Sequence, residues 1–399
     1  MQKKRIGLIF GGVSPEHEIS IITFDQVFKN INREKYDPVP IYITPDGDWV
    51  CDDRLKDVTR YSEIFTGSKS DLRRFNRKIL PPYPLRHETG GFFKKMLDDK
   101  IEIDVAFPLV HGSGGEDGSL QGLLELADIP YVGAGIGASA VGMDKILQKQ
   151  ILASAGLPLV HFTSYLKSRI ESEHEAVQKE IIENFRFPVF VKPASAGSSV
   201  GITKVDSPDF LAVALDEACR YDRKLIIEQS VENPREINCA VIGDDESVTT
   251  SVCEEVFSEG FLDYRQKYLK GAKKGGVADS RAGGMESVVR TIPADVDEKV
   301  AAMIHELTRR TFRALDCCGM ARVDFLMDES GDVTITELNS IPGSLAFYLW
   351  EKSGLPFTEL LDRLIDFAFS TYRRKKMLRK GSDFNAVKRY LKSKQSAAG

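Results

Sequence analysis

The sequence is short of the residues and runs that mark secreted, membrane-spanning and metal-clustered proteins. Its 399 residues include only six cysteines, at 51, 219, 239, 253, 317 and 318, and six histidines. No Cys-x-x-Cys occurs and no His lies near a Cys at the spacing of a local zinc motif, so neither a disulfide framework nor a zinc finger is expected. The adjacent Cys317 and Cys318 suit neither arrangement; reduced, mostly buried thiols in a cytoplasm are the expectation. No run approaches the ~18 apolar residues of a membrane span. The first apolar run stops at Gly11-Gly12, too early for a secretory leader. A Gly-x-x-x-x-Gly-Lys-Ser/Thr sequence is also missing, which excludes a P-loop, and no internal repeat is visible. These absences point to a soluble cytoplasmic protein.

What is present is a globular composition with an uneven charge. Net charge is −5, but residues 372–399 carry ten Lys/Arg against one Asp, so the remaining body is strongly acidic. Nucleic-acid binding by that body is not expected, because phosphate contacts need clustered bases. The length allows two to four domains at ~100–200 residues each.

The order of elements reads as α/β. Strands are expected at Arg5–Phe10, Pro38–Ile43 and Ile103–Val110, and helices over Ile19–Asn30, Ser119–Ala127 and, unbroken, Gly137–Ala155. This is the pattern of a doubly wound parallel sheet, with a polar insertion at about 52–100. A smaller α+β unit follows. It has strands at Phe162–Tyr165, Pro188–Lys192, Ile202–Val205 and Lys224–Glu228, and helices near Glu171–Asn184 and Pro208–Arg220. Then come antiparallel strands Glu236–Val241 and Ser247–Val256, a long helix after Pro293, a hairpin of Met320–Met327 with Asp332–Leu338, and a helix Phe357–Phe369.

Four segments carry chemistry. Gly133-Ala-Gly135-Ile-Gly-Ala138 has the spacing of a dinucleotide fingerprint, but no acid follows at the end of a second strand, so a glycine turn with close helix packing is expected there. The run His111–Gly122 places four internal glycines, a His and two acids after a strand, where open α/β sheets bind ligands. Lys192 precedes the Gly/Ser-rich stretch Gly197–Gly201, which either closes its N–H groups over phosphates or is an ordinary hairpin with a surface lysine. On the late hairpin, period two puts Arg322 with Asp324, and Glu337 with Asn339, on one face of each strand. Three oxygen ligands from adjacent strands describe a hard-cation site for Mg2+ or Mn2+.

Together these residues resemble the ATP-grasp superfamily, and more narrowly the D-alanine–D-alanine ligases, over roughly residues 4–370. The resemblance rests on Gly11-Gly12 with Glu16-His17-Glu18-Ile19-Ser20, His111–Gly122, Met143-Asp144-Lys145, Lys192 with Gly197–Gly201, Asp263-Tyr264 with Lys267-Tyr268, Arg322-Val323-Asp324, and Glu337–Gly343. It implies an α/β N-terminal domain at 1–144, a central α+β subdomain at 145–228, a C-terminal one at 229–371 with a closing loop at about 261–290, and a basic tail at 372–399. ATP is implied to lie between the last two domains, with two Mg2+ (or Mn2+) ions on Asp324, Glu337 and Asn339. Lys145 and Lys192 are implied at its phosphates, Glu228 at the adenine and Glu236 at the ribose, with Ser199 and Val231 as further ATP-binding residues.

The implied reaction joins two D-alanines through an acyl phosphate, for a peptidoglycan precursor. Arg322 and the Gly343 amide would stabilise the oxyanion. Glu18 would hold the first ammonium with Ser198 and Tyr268 as partners, and His111, Lys267, Tyr348 and Leu349 would complete the substrate sites. Tyr268 leans toward an amine nucleophile. The resemblance further implies a homodimer acting on small molecules, with no nucleic acid and no membrane insertion. Two departures leave alternatives open: Tyr348 stands where the family carries a Ser at the second substrate's carboxylate, and residues 270–290 are glycine-rich. A D-Ala–D-X or depsipeptide ligase, or a nucleotide-binding protein without ligase activity, remains the alternative reading.

Overall fold

The computed structural model describes residues 3–61, 103–197, 200–257, 289–378 and 390. Most of the expected insertion, the closing loop, Ser198, Ser199, Lys267, Tyr268 and most of the basic tail lie outside the described residues.

Strand β1 (Lys4–Gly11) is buried along six of its eight residues, as a strand covered on both faces must be. Helix α1 (His17–Asn30) leads from it to β2 (Tyr36–Ile43), which runs parallel to β1. A short β3 (Trp49–Val50) adds an antiparallel edge, and β4 (Val105–Pro108) lies parallel to β1 on its other side. The order β3-β2-β1-β4 puts the end of β1 at the centre of the sheet. There only glycine fits: a Cβ on Gly11, at φ 88°, would stand 2.1 Å from the Ile43 carbonyl oxygen. Ser20 of α1 accepts the Gly11 N–H at 2.8 Å and donates to the Leu109 carbonyl at 2.6 Å, tying two strand ends to the helix.

Helix α2 (Ser119–Leu126) follows the glycine-rich run. The helix expected to continue over 137–155 is instead two, α3 (Ile136–Met143) and α4 (Lys145–Ser154), broken at an extended Asp144. The Asp144 carboxylate accepts the N–H groups of Ile146 and Leu147 at 3.1 and 3.2 Å and so caps α4. An Asp N-cap competes with helix continuation, and here it starts a new helix at Lys145.

The middle unit is built from β5 (Phe162–Leu166), α5 (Lys167–Ser172), α6 (His174–Asn184), β6 (Val189–Pro193), β7 (Thr203–Val205), α7 (Leu211–Ala218) and β8 (Lys224–Gln229). Its sheet is antiparallel in the order β5-β8-β6-β7. Val177, Ile181, Val191, Leu211 and Ile227 belong to a core of its own.

The last unit holds β9 (Arg235–Gly243), β10 (Val248–Phe257), β11 (Val289–Thr291), α8 (Glu298–Ala314), β12 (Gly319–Met327) and β13 (Val333–Asn339). The sheet order is β11-β10-β9-β12-β13, antiparallel throughout. A tight turn at Gly343–Ala346, α9 (Phe347–Lys352) and α10 (Phe357–Met377) complete the described chain. One apolar core joins Leu8, Phe10 and Phe24 of the first unit to Ile242, Met320, Trp350 and Leu360 of the last.

Two expectations are refined. The turn at Gly133 is explained by close approach: a Cβ on Gly319, at the start of β12, would lie 2.7 Å from the Gly133 Cα. Helix α10 runs eight residues beyond the expected Phe369, so the first basic-tail residues are helical. Arg374 pairs with Asp244 at 2.8 Å, Lys375 with Glu125 and Lys376 with Asp128. Cations in a last turn also suit the helix dipole. Among the described residues, no helix is long and apolar enough to cross a membrane.

Candidate active site

The hairpin of β12 and β13 sets Arg322 opposite Asn339 and Asp324 opposite Glu337. Arg322 donates to both Asp324 oxygens at 2.6 and 2.7 Å, a forked pair that fixes the guanidinium plane. Asn339 donates to the Asp324 Oδ2 at 2.9 Å. Burial opposes the charge on Arg322, yet the Asp324 carboxylate prevails and holds the guanidinium well above its ordinary range. Asp324, Glu337 and Asn339 offer only oxygen to an ion on this face, the donor set of Mg2+ or Mn2+ and a poor one for softer metals.

Lys145, the first residue of α4, reaches this face from outside the hairpin. Its Nζ lies 3.5 Å from a Glu337 oxygen and donates to the Ala196 carbonyl at 3.0 Å, so one cation touches both the hairpin and the Gly/Ser loop. One turn along α4 is Lys149, which sequence reasoning missed. It is 1% exposed and stands 3.2 Å from one oxygen of Glu228, while Lys192 holds the other at 2.6 Å. Burial would push the Glu228 carboxyl up, but the two ammonium groups hold it down at about 2. The i, i+4 spacing of Lys145 and Lys149 was the available signal. Val231, half-buried, lies between β8 and β9, and Glu236 is exposed on β9.

A cavity of about 160 Å3 opens between the two glycine-bearing loops, lined by Ser14, Glu16, Gly112, Ser113, Met143 and Ser195–Gly197 among others. Glu16 belongs to it and Glu18 does not: Glu18 is exposed on the first turn of α1. Glu16 precedes the helix as its N-cap and so takes a direction that the helical Glu18 does not share. Cβ atoms on Gly112 and Gly197 would lie 2.7 and 3.0 Å from a Glu16 oxygen, so both glycines make room for that carboxylate.

His111 is buried beside this cavity, outside its lining. Its Nε2 is 3.0 Å from the Thr23 hydroxyl, and burial lowers its basicity against the pull of Glu16. Glu116, from the same run, accepts the N–H of Gly112 at 2.8 Å and of Ile341 at 2.9 Å. Burial, reinforced by Glu16, pushes its carboxyl up to about 7. Sequence reasoning counted Glu116 among the two acids of the run and assigned it no role of its own. The residue anchors the segment leading into Gly343, after which Ser344, Leu345 and Ala346 have φ of 53°, 54° and 50°. Three successive side-chain-bearing residues in the left-handed region store strain that the surrounding packing must hold.

Past this turn, Tyr348 donates its hydroxyl to Glu254 at 3.0 Å and receives the Arg290 guanidinium over its ring at 4.7 Å. Asn238 donates to Glu254 at 3.1 Å, and Arg290 pairs with it at 3.3 Å. None of Glu254, Asn238 and Arg290 was singled out from the sequence. The Leu349 side chain is fully buried in the shared apolar core, outside the cavity lining.

Comparison with known proteins places this geometry. The profile of the D-ala D-ala ligase N-terminus matches residues 5–134, and that of the D-ala D-ala ligase C-terminus matches 151–366. A D-alanine–D-alanine ligase of Acetivibrio thermocellus is 41% identical over 384 residues, covering 93% of this chain and 97% of that protein. One from Geobacillus thermodenitrificans is 40% identical over 383 residues, covering 94% and 98%. Among solved structures, the D-alanine-D-alanine ligase of Coxiella burnetii superposes with a TM-score of 0.73 at 30% identity, over 94% of this chain and 97% of that one. The VanG D-Ala:D-Ser ligase of Enterococcus faecalis also scores 0.73, at 33% identity, over 92% and 100%.

Proposed function

This chain belongs to the D-alanine–D-alanine ligase family, and from that membership we propose how its own residues divide the reaction. The activity is ATP-dependent ligation of two D-alanines, in the ATP-grasp architecture, for peptidoglycan precursor synthesis. In its first step a carboxylate oxygen of one D-alanine bonds to the γ-phosphorus as the bond to ADP breaks. In its second, the amine of another D-alanine attacks the acyl carbon, inorganic phosphate leaves and the amine loses a proton.

In our reading Glu16, and not Glu18, holds the first ammonium by a charge-assisted bond in the cavity between the loops. Lys145 and Lys192 meet the phosphates, and Lys149 sets Glu228 for the nucleotide base. Val231 and Glu236 follow at the base and the ribose. Asp324, Glu337 and Asn339 would hold the divalent ions, two by family resemblance and Mg2+ or Mn2+ by donor type; an ion there supplies charge neutralisation and a template for the phosphates. Arg322 and the Gly343 N–H face the charge that develops on the acyl oxygen. Ser198, Ser199, Lys267 and Tyr268, outside the described residues, keep the roles their motifs imply. His111 acts through Thr23 and Glu16 as a positioning group, and Tyr348 borders the second substrate. The three domains bounded at 144 and 228, a homodimer and a cytoplasmic location belong to the same reading.

The observation that carries it is the convergence of Arg322, Asp324, Glu337 and Asn339 on one hairpin beside Lys145, which touches the Gly/Ser loop. The test is phosphate release by the full chain with ATP, Mg2+ and D-alanine, with the dipeptide identified by mass. Turnover that requires D-alanine and is lost on chelation is expected. Glu16→Gln should raise the KM of the first D-alanine far more than Glu18→Gln; the reverse order would overturn the assignment to Glu16.

A further inference from the structure

The six cysteines show no metal spacing along the chain, yet the fold brings two of them to one histidine. Cys239 of β9 and Cys253 of β10 are direct cross-strand partners. Neighbouring Asn238 and Glu254, also paired, bond to each other on the opposite face with Tyr348. The two cysteines face the other way, into a core that includes Ile304, Leu307 and Phe312 of α8. His305 of the same helix turns its Nδ1 to within 3.6 Å of the Cys239 Sγ.

The donor atoms of all three residues lie within 4.8 Å of one another, the one such three-residue group among the described residues. One edge of the group has a metal site's length and the others fall within reach of it. With Zn–S of ~2.3 Å and Zn–N of ~2.05 Å, a tetrahedral ion needs a sulfur-to-nitrogen edge of about 3.6 Å and a sulfur-to-sulfur edge of about 3.8 Å. The Cys239–His305 edge already has that length. Both sulfurs are buried and His305 is half-buried, which places the group at the edge of the core under α8. Thiolate and imidazole select Zn2+-class ions and discriminate against Mg2+.

We propose that Cys239, Cys253 and His305 form a three-ligand site for a soft or borderline metal ion of the Zn2+ class, with its fourth position open to water. It lies across the sheet from the catalytic face, since Cys239 is in register with Val323, midway between Arg322 and Asp324 on β12. An ion there fastens β9, β10 and α8 together and leaves the oxygen site on the other face to hard cations.

The test titrates the reduced full chain with Co2+ as the probe, in excess Mg2+ to occupy oxygen sites. One equivalent should produce near-ultraviolet sulfur-to-cobalt absorption and intense tetrahedral visible bands, both abolished by Zn2+. Cys239→Ser and Cys253→Ser should remove the sulfur band, and His305→Ala should weaken Co2+ binding at least tenfold. Cys317→Ser should leave it unchanged. His305 is less buried than either cysteine, so His305→Ala reports even where a buried serine unfolds the chain, and circular dichroism checks each variant. No sulfur band in the wild type, a band that survives both serine variants, or indifference to His305→Ala would overturn the site.

Discussion

The Glu116 carboxylate accepts the backbone N–H of Ile341 at 2.9 Å across 225 residues of chain, and so ties the ligand loop of the first sheet to the segment that presents Gly343. Its folded-state pKa, about 7, stands above the ordinary 4.5, so the fold favours the protonated group. The sign follows by linkage: this contribution to stability is full below about 4.5 and is lost as pH rises through about 7. Urea unfolding of Glu116→Gln should therefore gain on the wild type between those pH values and run parallel above them. Glu116→Ala, which leaves two N–H groups without their acceptor, should cost about 1–3 kcal/mol and lower kcat.

Arg322 is held in plane by both oxygens of Asp324. Arg322→Ala should lower kcat by about 10²–10³-fold, the range for removal of one oxyanion donor. Arg322→Lys should restore only part, because an ammonium cannot reproduce the fork. Equilibrium ATP binding, measured calorimetrically, should change little; loss of ATP affinity equal to the loss of kcat would move Arg322 out of the chemical step.

Gly319 combines φ of 78° with the backbone of Gly133 where its side chain would be. Gly319→Ala should destabilise by about 2 kcal/mol or more, from the left-handed conformation and the overlap together. A denaturation midpoint equal to the wild type's would show that the linker moves aside freely.

The Tyr348 hydroxyl donates to Glu254, a carboxylate also engaged by Asn238 and Arg290. Tyr348→Phe removes one bond to a charged acceptor, worth about 1.5–3 kcal/mol. The KM of the second D-alanine should rise about 10- to 100-fold on that scale, with the KM for ATP unchanged. An unaltered second KM would place Tyr348 outside the acceptor site.

The Arg322–Asp324 and Glu337–Asn339 faces were legible because strand alternation is local and the turn between the strands is short. The middle sheet and α8 were legible for the same reason, period two and period 3.6 being properties of a single segment. The break at Asp144 was not, since apolar spacing continues through it and only the capping geometry ends α3. Glu16 and Glu18 are equivalent acids in sequence; which one enters the cavity depends on where α1 begins and on Gly112 and Gly197 opposite it. Lys149, Glu254 and the Cys239–Cys253–His305 group acquire their partners only when elements far apart in sequence meet.

The apolar core shared by the first and last sheets has a mechanical consequence. Phe10 and Phe24 pack in one cluster with Trp350 and Leu360, so parting those two units would wet a continuous core, whereas the middle sheet closes on its own. The first and last sheets therefore make up one half with a common core, and the middle sheet a second half with a core of its own. The first half carries the hairpin acids and Arg322, and the second carries Lys192, which leads into the Gly/Ser loop. The two halves meet through a much smaller contact: Ile146 against Ala194 and Ile226, the Lys145 N–H on the Ala194 carbonyl, and the pairs of Lys149 with Glu228 and Lys224 with Asp144.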